Sequence, residues 1–149
     1  VYRYCPADTI QGLAMARVMK DLGIRYVVPI WRGDAWGDGL ELATRERFQA
    51  LGGSVTEGVR YAPEAKEFSA EARNLANAVD DLVKKYGADQ VAVYLVAFEE
   101  AALLFTYTKE YSTLAKVRWF GSDGTANSAK LTDEPAAAEF SRTRWSMSL

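Results

Sequence analysis

The stretch FSAEARNLANAVDDLVKKYGADQVAVYLVAF, residues 68–98, decides the fold class. Phe68, Ala72, Leu75, Ala76, Val79, Leu82, Val83 and Tyr86 recur at intervals of three and four, the spacing of one helix face, and Gly87 follows where such a helix stops. VAVYLVAF then runs apolar without alternation, as a strand does when both faces of a parallel sheet are covered. A long helix leading straight into such a strand implies a βαβ crossover, which is right-handed and needs further strands beside it.

Those strands are found on both sides. RYVVPIW (25–31) is a second apolar run; Pro29 cannot donate to a ladder, so the strand must tolerate a missing bond or carry a bulge there. Leu40, Ala43, Phe48 and Leu51 predict a helix ending at Gly52 and Gly53, and SVTEGVRY (54–61) a weaker strand. Downstream, EEAALLFTYTKEY (99–111) reads as a helix and VRWFG (117–121) as a fourth strand. Upstream, Ile10, Leu13, Ala14, Val18, Met19 and Leu22 have helical spacing, Asp8 and Gln11 resemble a capping box, and Gly23 stands where a left-handed cap would. VYRYCPAD (1–8) and SRTRWSMSL (141–149) read as extended. The expectation is one domain over residues 1–149, a three-layer α/β fold with a parallel sheet and helices on both faces, Rossmann-like or flavodoxin-like.

Composition narrows the chemistry. The chain has 149 residues, 49% of them hydrophobic, which suits one domain with a sizeable core. Its 18 basic and 20 acidic residues leave a net charge of −2 with no basic face, against a nucleic-acid partner. No apolar run approaches the roughly 18 residues of a membrane span. With no histidine and one cysteine, an internal disulfide, a Ser-His-Asp or Cys-His pair and an imidazole–thiolate zinc site are all excluded. Cys5 reads as a small buried hydrophobe.

In an open parallel sheet, ligands bind beyond the carboxyl ends of the strands, which selects three loops: Arg32 to Gly39, Ala97 to Glu100, and Ser122 to Asn127. The glycines of RGDAWGDGL do not match GxGxxG, and no Gly-Lys-Ser/Thr follows, so a nucleotide is not indicated; Gly37 and Gly39 suit a turn and the start of a helix. Arg-Gly-Asp as an adhesion tripeptide is too short a match to use. Trp36, in a polar turn, can either wall a solute pocket or simply pack over the turn. Asp123 can accept hydrogen bonds from a ligand or cap a turn. Glu99 and Glu100 open a helix, where the dipole favours acids; adjacent side chains there diverge, against a glycosidase-like pair. Asp34 and Asp38 imitate a metal site but lack further oxygen ligands, so no metal is expected.

Five segments in order, ADTIQGLAMA, WRGDAWGDGLELA, KEFSAEARNL, AFEEAALLF and VRWFGSDGTANSAKL, resemble the type I periplasmic solute-binding proteins, of the kind that includes the leucine/isoleucine/valine receptors of ABC importers. They look like that family's Asp-x-x-Gln-Gly, aromatic-Gly-x-Gly, Asp-Phe-Ser, Glu-Ala and Gly-Thr-Asp-Gly blocks. Lys66-Glu67 replaces the usual Asp before Phe68, and Trp36 stands where tyrosine is common. The resemblance implies the second lobe of a two-lobe, non-enzymatic binding protein outside the cytoplasm, with residues 1–8 and 141–149 as hinge strands. No cofactor is implied. The implied partners are a small solute such as an amino acid, a membrane permease and a first lobe outside this sequence. Trp36 would wall the pocket, Ala97 and Phe98 line it, Asp123 meet a ligand ammonium, and Arg32 and Asp34 stand near the same cleft. An amide-responsive regulator or receptor sensor domain of the same fold is the other reading.

Overall fold

Val91, Val93 and Leu95 face one way and Ala92, Tyr94 and Val96 the other, and all six are buried, so strand β4 (Val91–Val96) forms the middle of the molecule. The computed structural model describes residues 7–126, 128–135, 137–139 and the backbone of 145–148. On one side β4 pairs with β1 (Tyr26–Arg32), which carries β2 (Ser54–Val55) and β3 (Val59–Tyr61) along its far edge. On the other side lie β5 (Arg118–Gly121) and then β6 (Trp145–Ser148), and every pairing is parallel.

Helices cover both faces. Met15, Ala16 and Met19 of α1 (Asp8–Asp21) and Leu40 and Phe48 of α2 (Ala35–Ala50) pack on Ala92, Tyr94, Val96 and Phe120. Against the opposite face lie Leu75, Ala76 and Val79 of α3 (Ser69–Tyr86), Leu104 and Phe105 of α4 (Ala101–Thr108) and Leu114 of α5 (Ser112–Ala115). Leu131 of α6 (Lys130–Asp133) joins that layer. Trp119 is fully buried there, edge-on to Phe105 and donating its indole N–H to Leu114 O at 3.0 Å, so its one polar atom is satisfied. This is the expected three-layer α/β architecture.

The difficulty at Pro29 is resolved by a split in the neighbouring strand. Residues 54–61 form two short strands rather than one, and the break falls opposite Val28 and Pro29. Thr56 N donates to Val27 O, so alternate residues of β1, Pro29 among them, turn their backbone polar groups toward that edge. Pro29 has no N–H to offer, and the chain leaves the ladder where β1 lacks a donor to hold it. Gly58 carries the detour at φ +79°, and a Cβ there would lie 2.4 Å from Pro29 O.

Three expectations need correction. Helix α1 buries Met19 as expected, but with Gln11, Gly12, Met15 and Ala16, whereas Ile10, Leu13 and Leu22 are exposed, so the face turned toward α2 and the sheet is rotated from the one expected. Asp8 lies inside the first turn, and the capping position is Ala7, without a side-chain bond, so no capping box forms. Helix α2 starts at Ala35, five residues before Leu40, the first residue of the expected helix face, because Asp34 caps it by accepting from Gly37 N at 2.8 Å. Trp36 is therefore the second residue of a helix rather than part of a turn. Gly23 and Gly52 do adopt positive φ after their helices. Cys5 and the segments 1–6, 141–144 and 149 lie outside the described residues.

Candidate functional site

Because the strands are parallel, their carboxyl ends share one edge of the sheet. The chain passes from β1 to β2 in one direction and from β3 to β4 in the other, so strand order reverses between β1 and β4. The loops above that junction are the ones selected from sequence, and the crevice between them is where such sheets hold ligands.

Trp36 and Phe98 meet there. Their rings are stacked, with centroids 4.3 Å apart and planes 15° from parallel. Trp36 is half-buried, while Phe98 keeps 40% of its surface exposed, so the pair presents a flat apolar wall to solvent. Gly124, in the turn Asp123–Thr125 after β5, closes under the wall: a Cβ on it would meet Ala97 O, Phe98 Cδ1 and Trp36 Cη2, all within 3 Å. The methyl of Ala97 is in the core, and its carbonyl alone faces this loop, accepting from Ser122 Oγ at 3.4 Å.

Asp123 stands beside Gly124. Its Oδ1 is buried and accepts no hydrogen bond from the protein. A buried acceptor left unpaired costs about 1–3 kcal/mol, which a donor from a ligand would recover. Below it, Tyr94 is buried in contact with Thr44, and burial, together with the negative charge of Asp123, pushes its hydroxyl pKa up.

The charged residues form two closed groups. In the first, Arg32 Nε donates to Asp34 Oδ2 at 2.5 Å, Arg32 Nη1 to Glu100 Oε1 at 2.8 Å, and Tyr61 OH to the same Glu100 oxygen at 2.9 Å. The guanidinium lies 5.0 Å from the centre of the Phe98 ring, a cation–π contact of about 0.5–2 kcal/mol depending on desolvation. Desolvation lowers the affinity of Arg32 for its proton, but Asp34 and Glu100 more than offset this and raise its pKa. For Asp34, partial burial acts upward, yet the bonds from Gly37 N and Arg32 outweigh it and hold the carboxyl below its ordinary value. Burial, then the Glu100 charge, drive the Tyr61 hydroxyl up.

In the second group Arg60 grips Asp38 through Nε and Nη2 at 2.8 and 2.9 Å, and Trp31 Nε1 donates to the same carboxylate at 2.9 Å. Asp34 and Asp38 thus serve different arginines, and no group of metal-holding residues occurs among the described residues. The hydrogen bonds from Arg60, then Trp31, lower the Asp38 pKa to about 2. A carboxylate whose folded pKa is depressed contributes stability above its unfolded value, and that contribution disappears as the pH falls through the folded value. Denaturant midpoints should consequently drop between pH 4 and pH 2, and Arg60→Ala should flatten that part of the curve; an unchanged slope would mean that Asp38 is not held by Arg60 in solution.

The family described as the receptor family ligand-binding region matches residues 1–144. The chain belongs to that family. A protein of Methanocaldococcus jannaschii, uncharacterised, is 37% identical over 134 residues, 90% of this chain and 31% of its own length. Among solved structures, a leucine-binding protein from Thermotoga maritima superposes with a TM-score of 0.69 at 23% identity, over 91% of this chain and 36% of its own. A solute-binding protein of an ABC transporter from Rhodopseudomonas palustris, in complex with 3,4-dihydroxybenzoic acid, gives 0.70 at 16% identity, over 89% and 34%. This receptor-family chain therefore spans about a third of the length of the proteins it matches, and its fold is that of a type I periplasmic binding protein lobe, as the sequence resemblance implied. Among the described residues no helix is long and apolar enough to cross a membrane.

Of the residues singled out from sequence, Trp36, Phe98 and Asp123 stand at the crevice, Ala97 contributes its carbonyl, and Arg32 and Asp34 are bound to each other beside the wall. Sequence reasoning passed over Tyr61 and Gly124. A buried tyrosine at the end of a strand and a glycine directly after Asp123 were the only signals.

Proposed function

We propose that this chain is one wall of a two-lobe cleft that captures a small solute for an ABC-type importer, acting by binding and closure rather than by catalysis. The single observation carrying this reading is the buried, unpartnered Oδ1 of Asp123 beside the Trp36–Phe98 stack at the strand-order reversal. An acceptor with no donor next to a flat apolar surface suits a solute with an ammonium or hydroxyl group and an apolar body, such as an amino acid. Trp36 and Phe98 hold the body, Ala97 O borders it, and Asp123 takes the donor. Closure of this wall against the first lobe, which lies outside this sequence, then covers the solute and presents both lobes to a membrane permease. Such work places the protein outside the cytoplasm.

Calorimetric titration of the intact polypeptide with L-leucine, L-phenylalanine and 3,4-dihydroxybenzoate tests this. The amino acids should bind and the purely anionic acid should not, because the two arginines beside this wall, Arg32 and Arg60, each already hold a carboxylate. Asp123→Asn should weaken binding about tenfold or more, the loss of one charge-assisted hydrogen bond of about 1.5–3 kcal/mol. Undiminished affinity in that variant would reject Asp123 as the solute's partner.

A further inference from the structure

Glu100 reaches the aromatic wall only through another residue. Its Oε1 accepts from Arg32 Nη1 and from Tyr61 OH, and Tyr61 is itself fixed edge-on to Phe68, with ring centroids 5.2 Å apart. Arg32 in turn spans from the end of β1 to the start of α4, lies over Phe98, and binds the same Asp34 that caps α2. Phe98 is thus held on one side by Trp36, whose helix Asp34 caps, and on another by a guanidinium whose position Asp34 and Glu100 set. The side chains of Arg32 and Glu100 are only 18% and 17% exposed, so neither charge can be stripped of its partner without leaving the other poorly solvated.

We propose that Glu100, anchored by Tyr61, is a positioning residue for the solute wall: through Arg32 it fixes the plane of Phe98, and with it Trp36, without touching the solute. This rests on the solute-wall reading above. It assigns Arg32 and Asp34 to support of the wall rather than to contact with the ligand. The stack exists before solute arrives, so affinity depends on how little ordering remains to be done on binding. Glu100→Gln keeps the shape and an acceptor for Tyr61 but removes the charge. Arg32 then has Asp34 as its remaining anion in this group, and its guanidinium is drawn off Phe98.

The test combines nuclear magnetic resonance of the solute-free protein with titration. In the wild type, ring protons of Phe98 and Trp36 should be displaced by each other's ring current. In Glu100→Gln most of that displacement should vanish, and in Tyr61→Phe, which keeps the packed ring and removes only the hydroxyl with its contacts to Glu100 and, at 3.3 Å, to Val96 O, it should shrink in the same direction. Val79→Ala, which removes buried volume far from the site, should lower the thermal midpoint and leave these shifts alone. Affinity for L-leucine or L-phenylalanine should fall about tenfold in Glu100→Gln with Asp123 intact. Unchanged ring-current shifts in Tyr61→Phe and Glu100→Gln overturn the proposal, and Tyr61→Phe decides alone if Glu100→Gln does not fold. If the wild type binds neither amino acid, the solute reading falls, and the shifts still decide whether Glu100 positions the wall.

Discussion

Replacing Gly124 with alanine is expected to abolish measurable solute binding at the concentrations that saturate the wild type and to cost about 2 kcal/mol of stability, within the usual range for overpacking. The reason is local. An added Cβ would lie 2.4 Å from Ala97 O, 2.7 Å from Phe98 Cδ1 and 2.9 Å from Trp36 Cη2. The carbonyl belongs to the backbone just past β4 and is tied to the next loop, since Ser122 Oγ donates to it and Ser122 N donates to Leu95 O at 3.1 Å. It cannot retreat cheaply. The two rings can, but only by leaving each other, and the turn that carries Asp123 would be pushed outward at the same time. One methyl therefore strikes both parts of the proposed site. Chemical denaturation and titration with L-leucine and L-phenylalanine measure the two effects, and a variant that binds as the wild type does would show that the rings and Asp123 do not form the solute wall.

How much of this was legible beforehand depends on what kind of contact is asked about. Residues 68–98 read correctly because each third or fourth residue of α3 and every residue of β4 meets a neighbouring layer, and hydrophobic periodicity reports burial against a layer. The same rule misreads part of α1, where Met19 is buried as expected but Gln11, Gly12, Met15 and Ala16 complete the inward face and the apolar Ile10 and Leu13 are left exposed. Small residues permit close helix packing but carry no hydropathy signal. The site divides in the same manner. Which loops converge follows from parallel strands and one reversal of order, so the loops that carry Trp36, Phe98 and Asp123 could be named in advance, whereas the part given to Phe98 came from the family resemblance. Which side chains pair depends on register. Trp31 stands opposite Arg60 and Arg32 opposite Tyr61, and that register puts Arg60 on Asp38 and Tyr61 on Glu100. From sequence alone, Glu100 could be read only as an acid near a helix start, and Tyr61 only as the end of a weak strand.

That register is itself set by the break at Gly58, which makes Gly58→Ala the second severe substitution. At φ +79° an alanine costs about 1–2 kcal/mol in backbone strain alone. Its Cβ would also meet Pro29 O at 2.4 Å and Pro29 Cγ at 2.5 Å, in the middle of the central region of β1, where neither atom can move without disturbing pairing to β4. A total loss of about 3 kcal/mol follows, or roughly 9 °C in thermal midpoint for a chain of this size. The damage should not stay in the turn, because β3 begins at the next residue and carries both Arg60 and Tyr61. If β3 is displaced, Arg60 loses its grip on Asp38 and the acid-induced fall in stability between pH 4 and pH 2 should flatten. Tyr61 would withdraw from Glu100 in the same step, and the Phe98 ring-current shifts should move as they do in Tyr61→Phe. A Gly58→Ala protein that is destabilised yet keeps both the wild-type acid profile and the wild-type ring shifts would show that β3 holds its register without the detour, and that the split strand answers only to Pro29.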